Sequence, residues 1–140
     1  MHNLISIAMC SYNGERFIKE QIDSIIAQTY KNFELIIVDD GSKDNTINII
    51  KKYANKISYW ISEPDKGLYD AMNKGLHKAT GDYVWFLNAG DTLPTADTIY
   101  RMVKRLDKRG IYPDVLYGET NLVDAEGRSL GARRLKAPKK

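Results

Sequence analysis

Short apolar runs alternate with amphipathic stretches along most of this chain. Residues 34–38 and 83–87 are almost continuously apolar, as is typical of strands buried on both faces of a parallel sheet. Between such runs, Ile18, Ile22 and Ile25 recur at the spacing of one helix face. The alternation predicts an α/β fold with a mainly parallel, Rossmann-like sheet flanked by helices.

The same pattern predicts five strands and four helices that follow one another in turn. The strands are expected at residues 4–10, 34–38, 57–61, 83–87 and 115–123, and the helices at residues 15–28, 46–53, 68–78 and 95–108. A polar, hairpin-like turn at residues 124–127 follows the last strand.

Two of the predicted strands end in acidic clusters. Asp39 and Asp40 follow one strand directly, and Asp91 closes the segment Asn88–Asp91 after another. Ligands of open parallel sheets bind at the carboxyl ends of the strands, so this placement suggests a polyhydroxylated, cationic or metal-bridged ligand. Capping of a turn or helix is the alternative role for such acids, and we expect Asp39 and Asp40 to divide the two roles.

The turn after the first strand argues against a dinucleotide site. Ser11–Arg16 contains Gly14 as its single glycine, whereas the dinucleotide fingerprint G-x-G-x-x-G needs glycines at all three positions. A nucleotidyltransferase would need a glycine-rich, basic loop here, which this turn does not supply. Tyr12 offers instead a ring that can stack on a base, with a packed surface aromatic as the alternative interpretation.

Composition narrows the class of protein further. The 140 residues are 43% hydrophobic, which fits one globular domain with a core. Cys10 is the single cysteine and the two histidines lie far apart, so neither an internal disulfide nor a zinc site is expected. No apolar run approaches the roughly 18 residues of a membrane span, and we expect a cytoplasmic protein.

The net charge of +3 is concentrated at the carboxyl terminus. Residues 128–140 hold six basic side chains and no acid, whereas the remainder holds 15 basic and 18 acidic side chains. A nucleic-acid face across the domain is therefore not indicated, and we expect no nucleic-acid partner. We place one domain at residues 1–125 and a flexible basic tail at 126–140. Contact of this tail with the inner membrane face is the alternative to a solvated terminus.

Taken together, the motifs resemble those of the inverting glycosyltransferases of family two, which have the GT-A fold. The resemblance covers roughly residues 3–125 and rests on the segments Ser11-Tyr12-Asn13, Gln28–Glu34, Asp39–Ser42, Asp44–Thr46, Asp65–Gly75 and Gly81–Asp91. The segment Asp65–Gly75 also resembles the bacterial polysaccharide branch of this family.

The resemblance implies a nucleotide-diphosphate sugar as donor, with UDP as the expected nucleotide, and Mg²⁺ or Mn²⁺ as cofactor. It implies that Tyr12 stacks on the base, that Asp40 binds the imide of the base, and that Asp91 is the metal ligand. Asn88 and Gly90 stand where the family's metal motif usually has aspartates. The expected nucleotide-binding residues are Ser11, Tyr12, Asn13, Asp39, Asp40, Lys66, Asn73, Asn88 and Ala89.

The implied function is transfer of a sugar to a saccharide or lipid-linked acceptor in cell-surface polysaccharide biosynthesis, with this chain carrying the donor-binding half. Family members are longer, so we expect the catalytic base beyond Lys140 and little transfer by this chain alone. Apolar surface left open near the late strand and the predicted helix at 95–108 predicts self-association. The alternative is a non-catalytic nucleotide-sugar-binding module or a partner subunit.

Overall fold

The computed structural model describes residues 3–110, 112–116 and 120–133 of the chain. The described residues fall into two compact units, one up to Gly110 and one beyond it. Among these residues, no helix combines the length and the apolar composition that a membrane crossing requires.

Strands and helices alternate throughout the first unit. The strands are β1 (Ile5–Ser11), β2 (Phe33–Asp39), β3 (Tyr59–Ser62) and β4 (Tyr83–Leu87), and the helices are α1 (Ile18–Ile26), α2 (Thr46–Lys52), α3 (Leu68–Lys78) and α4 (Thr98–Arg109). A short 3₁₀ turn, Ala54–Lys56, follows α2. The predicted α/β alternation is confirmed for these eight elements, and their predicted ends differ from the observed ones by no more than three residues.

The four strands form one parallel sheet in the order β3-β2-β1-β4. Ile5 at the start of β1 lies in register with Phe33 of β2 on one side and with Tyr83 of β4 on the other. The chain thus adds β2 and β3 on one side of β1 and then returns to place β4 on the other. A reversal of this kind opens a crevice at the carboxyl ends of the strands.

The main core lies on one face of the sheet. Alternation along β1 directs Ile5, Ile7 and Met9 to this face. Helices α1 and α4 cover it with Ile18, Ile22, Ile25, Ile99 and Val103, all fully buried. The predicted apolar stripe of α1 therefore packs as expected.

The opposite face carries a smaller cluster beneath α3. Ala71 of α3 packs there with Ile36 and Val38 of β2. A Cβ added at Gly75 would lie 3.2 Å from the Cβ of Ala8, so the glycine lets α3 approach the sheet closely. Glycine inside a helix is less stable than alanine, and the close approach of α3 to the sheet explains why a glycine is nevertheless found at position 75.

Hydrogen bonds to the Glu34 carboxylate, here called the Glu34 clasp, connect the amino ends of β1 and β2 with the residue Thr80 that precedes β4. Glu34 Oε1 accepts hydrogen bonds from the Ser6 hydroxyl (2.6 Å) and the Thr80 main-chain N–H (2.6 Å). Burial alone would raise the pKa of Glu34, but the hydrogen bonds from Ser6 and Thr80 outweigh it and the pKa is lowered. Gly81 N–H donates to Ser6 Oγ (2.8 Å). A Cβ at Gly81 would lie 2.5 Å from that oxygen and 2.6 Å from the carbonyl oxygen of Leu4, so a larger residue does not fit.

The second unit contains an antiparallel hairpin of β5 (Thr120–Val123) and β6 (Ser129–Arg133). The predicted strand at 115–123 is wrong at residues 115 and 116, which are not extended into a strand, and residues 117–119 lie outside the described residues. The predicted turn at 124–127 is present, with Gly127 at φ 81° and its N–H bonded to the Asp124 carbonyl (3.0 Å).

This hairpin crosses the expected boundary between residues 125 and 126. Strand β5 pairs with β6 and not with the parallel sheet, because a short turn can join antiparallel neighbours whereas a parallel partner needs a long crossover. Strand β6 lies within the segment predicted as a flexible tail, and residues 134–140 of that tail lie outside the described residues.

Candidate functional site

A pocket of about 370 Å³ opens at the carboxyl ends of β1, β2 and β4, where the strand order reverses. The end of β1 contributes Cys10, Ser11 and Tyr12, and the other lining residues are Asp40, Asp65, Gly67, Leu68, Ala71, Asn88 and Ala89. The pocket lies where the sequence predicts a ligand site, at the end of the sheet that carries the acidic clusters.

Tyr12 presents an accessible aromatic ring at this pocket, since 58% of the residue is exposed. The next residue, Asn13, adopts a left-handed conformation at φ 46°. Its N–H donates to Ser42 Oγ (2.8 Å), and its Oδ1 accepts from the Lys43 N–H (3.0 Å). Asn13 therefore ties the loop after β1 to the loop after β2 and does not line the pocket.

Asp39 and Asp40 have different surroundings. Asp39 is fully buried and accepts hydrogen bonds from the Ser42 N–H (2.8 Å), the Ser42 hydroxyl (2.6 Å) and the Ser62 hydroxyl (2.7 Å). Asp40 lines the pocket, and its Oδ1 accepts a hydrogen bond from the Asp65 N–H (2.6 Å). Asp39 is therefore held by hydrogen bonds in the turn after β2, whereas Asp40 lies at the pocket, where its carboxylate can contact a ligand.

A buried glutamine of α1 holds the turn that follows β4. Gln21, only 4% exposed, donates from Nε2 to the carbonyl oxygens of Asn88 (2.8 Å) and Asp91 (2.9 Å). The Asp91 N–H closes the turn on the Asn88 carbonyl (3.1 Å), and Gly90 supplies the positive φ of 82°. Asn88 and Ala89 line the pocket, whereas the Asp91 side chain is exposed beyond that lining.

The helical spacing of α3 places some of its residues at the pocket and others away from it. Leu68 and Ala71, three positions apart, share the face of α3 that lines it. Asn73 lies on a different face and is exposed. Lys66 is also exposed and outside the lining, and its N–H donates to Asp70 Oδ2 (2.9 Å).

Five of the ten predicted site residues therefore line the pocket: Ser11, Tyr12, Asp40, Asn88 and Ala89. Asn13, Asp39, Lys66, Asn73 and Asp91 are not among the lining residues. Sequence reasoning missed Cys10, Asp65, Gly67, Leu68 and Ala71, and it also missed Gln21. Helical spacing would have selected Leu68 and Ala71, but no local signal connects Gln21 to a turn 67 positions later.

The electrostatics of the pocket are set by Asp40 and Asp65. Burial raises the pKa of the Cys10 thiol, and the charge of Asp65 adds to the rise, so Cys10 is a neutral part of the wall. Among the described residues, no three His, Cys, Asp or Glu side chains cluster as metal ligands. Mg²⁺ and Mn²⁺ take oxygen ligands and retain waters and substrate phosphates. An ion at this end of the sheet would therefore need oxygen ligands from a bound diphosphate besides any single carboxylate such as Asp91.

The fold and the pocket define an α/β domain of the GT-A type. Residues 6–134 match the sequence model of the family described as Glycosyl transferase family 2, and the chain belongs to this family. An uncharacterized glycosyltransferase of Rickettsia conorii is 39% identical over 131 residues, which cover 92% of this chain and 21% of that protein. A PGL/p-HBAD biosynthesis glycosyltransferase of Mycobacterium bovis is 35% identical over 84% of this chain and 49% of its own length. The chain thus spans about a fifth to a half of these curated relatives.

Solved structures agree with the predicted fold. S. aureus TarS in complex with UDP-GlcNAc superposes with a TM-score of 0.70 at 28% identity, covering 76% of this chain and 32% of that chain. The mannosyltransferase PcManGT of Pyrobaculum calidifontis, in complex with GDP-Man and Mn²⁺, gives a TM-score of 0.69 at 27% identity, covering 76% and 33%. The expected GT-A fold is confirmed.

Proposed function

We propose that this chain binds a nucleotide-diphosphate sugar, with UDP as the favoured nucleotide, as the donor-binding part of a glycosyltransferase. The transferase would deliver the sugar to a saccharide or lipid-linked acceptor in cell-surface polysaccharide biosynthesis. The observation that carries the proposal is the pocket at the strand-order reversal, with an exposed tyrosine ring and a carboxylate on its wall. Family membership and the nucleotide sugars bound to TarS and PcManGT support it.

Tyr12 and Asp40 would recognise the base. The ring of Tyr12 is accessible for stacking, which is tolerant of base identity because every base has a π face. Asp40 can accept a hydrogen bond from the ring N–H that uracil, thymine and guanine each carry beside a carbonyl. The one side-chain hydrogen bond found for Asp40 among the described residues uses Oδ1. We therefore assign the other carboxylate oxygen, Oδ2, to the base.

Asp91 would hold Mg²⁺ or Mn²⁺ beside the diphosphate. A bound divalent ion offsets the negative charge of a leaving diphosphate. The chain's own contribution is to fix the position of Asp91, because Gln21 binds the carbonyl of Asp91 itself and that of Asn88 at the start of the turn. Without an ion, a diphosphate at the pocket would be repelled by Asp40 and Asp65, which line it, and by Asp91.

Calorimetric titration with UDP, GDP and dTDP tests base recognition. Tyr12→Ala should weaken UDP binding about tenfold or more, since stacking on an aromatic side chain contributes about 1–3 kcal/mol per base and 1.4 kcal/mol is a decade. Tyr69→Ala is the matched control, because Tyr69 is 80% exposed and lies outside the pocket lining. Equal UDP affinity of wild type and folded Tyr12→Ala would remove Tyr12 from the site.

The same titration with Mg²⁺, Mn²⁺ or EDTA tests the ion. Asp91→Asn should abolish the metal-dependent gain in UDP affinity while the binding of uridine, which lacks the diphosphate, stays nearly unchanged. Glu20→Gln, an exposed carboxylate change on α1, serves as control. Wild-type UDP affinity that is the same in EDTA and in Mn²⁺ would contradict a metal-assisted site.

We also propose that the chain self-associates through its carboxyl-terminal unit. Leu122, Val123 and Leu130 of the hairpin are 47%, 55% and 67% exposed. Exposed apolar side chains on a small antiparallel hairpin favour association. Light scattering should show a species larger than 16.0 kDa, which Leu122→Ser with Leu130→Ser should reduce, and a monodisperse wild-type monomer would refute the proposal.

A further inference from the structure

The outer face of helix α4 carries a stripe of basic side chains. Arg101, Lys104, Arg105 and Lys108 recur at the i, i+3, i+4, i+7 spacing of one helix face, and Arg109 extends the stripe. All five are exposed, whereas the opposite side of α4 is buried through Ile99, Val103 and Leu106. The helix is thus anchored in the core on one side and presents cations on the other.

This stripe concentrates positive charge on a domain that is otherwise acidic. Residues 1–97 hold ten basic and thirteen acidic side chains, whereas α4 holds five basic and one acidic side chain. The ion pairs found within the described part of the chain involve Lys19, Lys74 and Arg128, and none involves the stripe.

Holding these cations together costs helix stability. The i, i+4 pairs Arg101–Arg105 and Lys104–Lys108 are like-charged, and such pairs destabilise a helix. The described residues supply no ion pair that offsets this repulsion. An external anionic partner would offset it.

The chemistry of the stripe distinguishes between anionic partners. From Arg101 to Lys108 it spans about 10 Å at 1.5 Å per residue, and its arginines and lysines can bind the phosphates of a lipid headgroup or of a nucleic acid. Tyr100 lies at its start, 36% exposed, with Lys104 Nζ 5.8 Å from its ring centroid. Tyrosine and long-stemmed cations are the side chains favoured at a membrane–water interface.

We propose that the Arg101–Arg109 face of α4 docks on an anionic lipid surface. Charge complementarity supplies the attraction, and the acidic remainder of the domain disfavours a long polyanion that would extend past the helix. The interaction is peripheral, through headgroups, and it uses α4 and not the basic residues of 128–140. It does not depend on the proposed function, because nothing in it requires the pocket.

Vesicle flotation with the full 140-residue chain tests this docking. Wild type should float with phosphatidylglycerol-containing vesicles and not with pure phosphatidylcholine. The binding should disappear near 1 M salt, where the screening length falls from about 8 Å to about 3 Å. Since one basic side chain near an anionic surface contributes about fivefold in affinity, Lys104→Gln with Lys108→Gln should lower the partition coefficient about 25-fold.

Lys51→Gln with Lys52→Gln is the matched control. Both lysines are exposed in the last turn of α2, and the substitution removes the same charge. The basic residues of 128–140 are identical in all three proteins, so a difference between the two variants reports on α4 alone. Far-ultraviolet circular dichroism and thermal unfolding establish that both variants are folded.

Three results would overturn the proposal. One is equal binding of wild type to phosphatidylglycerol and phosphatidylcholine vesicles. Another is an equal loss of binding in the two variants, or no loss in either. The third is retention on an RNA homopolymer at 0.15 M salt without vesicle binding, which would identify a nucleic acid as the partner.

Discussion

Replacing Gln21 by leucine tests how the turn after β4 is held at the pocket. The Gln21 side chain is 4% exposed and donates two hydrogen bonds, to the Asn88 and Asp91 carbonyls at 2.8 Å and 2.9 Å. Leucine has a similar size and no donor, so Gln21→Leu leaves the packing of α1 largely intact and removes both bonds. A net hydrogen bond contributes about 0.5–1.5 kcal/mol, and we therefore expect the free energy of unfolding to fall by about 2 kcal/mol. For a domain of this size that lowers Tm by roughly 6–10 °C.

The effect on Mn²⁺-dependent UDP binding distinguishes Gln21 from a buried glutamine that only stabilises the fold. With the turn released, Asp91 is no longer positioned, and the Mn²⁺-dependent gain in UDP affinity should fall about tenfold, equivalent to about 1.4 kcal/mol. Calorimetry with and without Mn²⁺ measures this gain, and differential scanning calorimetry measures Tm. Uridine binding, which we assign to Tyr12 and Asp40, should change little.

Gln28 on the segment after α1 provides the matched control. It is fully buried, donates to the carbonyls of Ser24 (3.0 Å) and Thr95 (2.6 Å), and accepts from the Ile99 N–H (3.1 Å). Gln28→Leu should lower Tm at least as much as Gln21→Leu and leave the Mn²⁺-dependent gain intact. If Gln21→Leu keeps both the wild-type Tm and the wild-type gain, or if the two variants lose the gain equally, the turn is not positioned in this way.

The remaining predictions concern the turn and the clasp that support the sheet. Asp39→Asn should lower the free energy of unfolding by about 2 kcal/mol or more, because a buried carboxylate with charge-assisted hydrogen bonds is lost, whereas Asp40→Asn should chiefly weaken UDP binding. Gly81→Ala should lower the free energy of unfolding, measured with urea, by about 2 kcal/mol or more, because the added Cβ overlaps main-chain atoms. Gly14→Ala should lower it less, because a Cβ there meets only a side-chain oxygen at 3.4 Å. The pKa of Glu34 is lowered in the folded state. The ionised Glu34 carboxylate therefore stabilises the fold above its unfolded pKa of about 4.3, and this contribution is lost as the pH falls below that value. Glu34→Gln should therefore flatten the dependence of stability on pH in that window.

Each of these expectations has a clear contrary result. Equal stability losses for Asp39→Asn and Asp40→Asn would remove the division of roles between the two acids. A Gly81→Ala protein as stable as Gly14→Ala would show that the amino end of the sheet can relax. A Glu34→Gln protein whose stability falls with acid as steeply as wild type would assign the acid sensitivity to other carboxylates.

Much of the fold could be predicted from the chain because its signals are local. Strand β4 was predicted with its observed ends, since five consecutive apolar residues lie between polar segments. The stripe of Ile18, Ile22 and Ile25 predicted both a helix and its buried face. The hairpin partner β6 could not be predicted in this way, because Ser129–Arg133 has little apolar alternation and depends on pairing with β5.

The amino-acid pattern alone is enough to predict the α/β class, the order of the main elements and the end of the sheet at which a ligand site is expected. These follow from periodicity and from polar residues directly after apolar runs, which are properties of neighbours along the chain. The folded arrangement was needed to show that Asp39 is bonded within the turn and that Asp40 lies at the pocket. It was needed also to show that Leu68 and Ala71 line the pocket while Asn73 does not. The physical reason is that these outcomes depend on the direction of a side chain relative to distant elements, as in the contact of Gln21 with a turn 67 residues away.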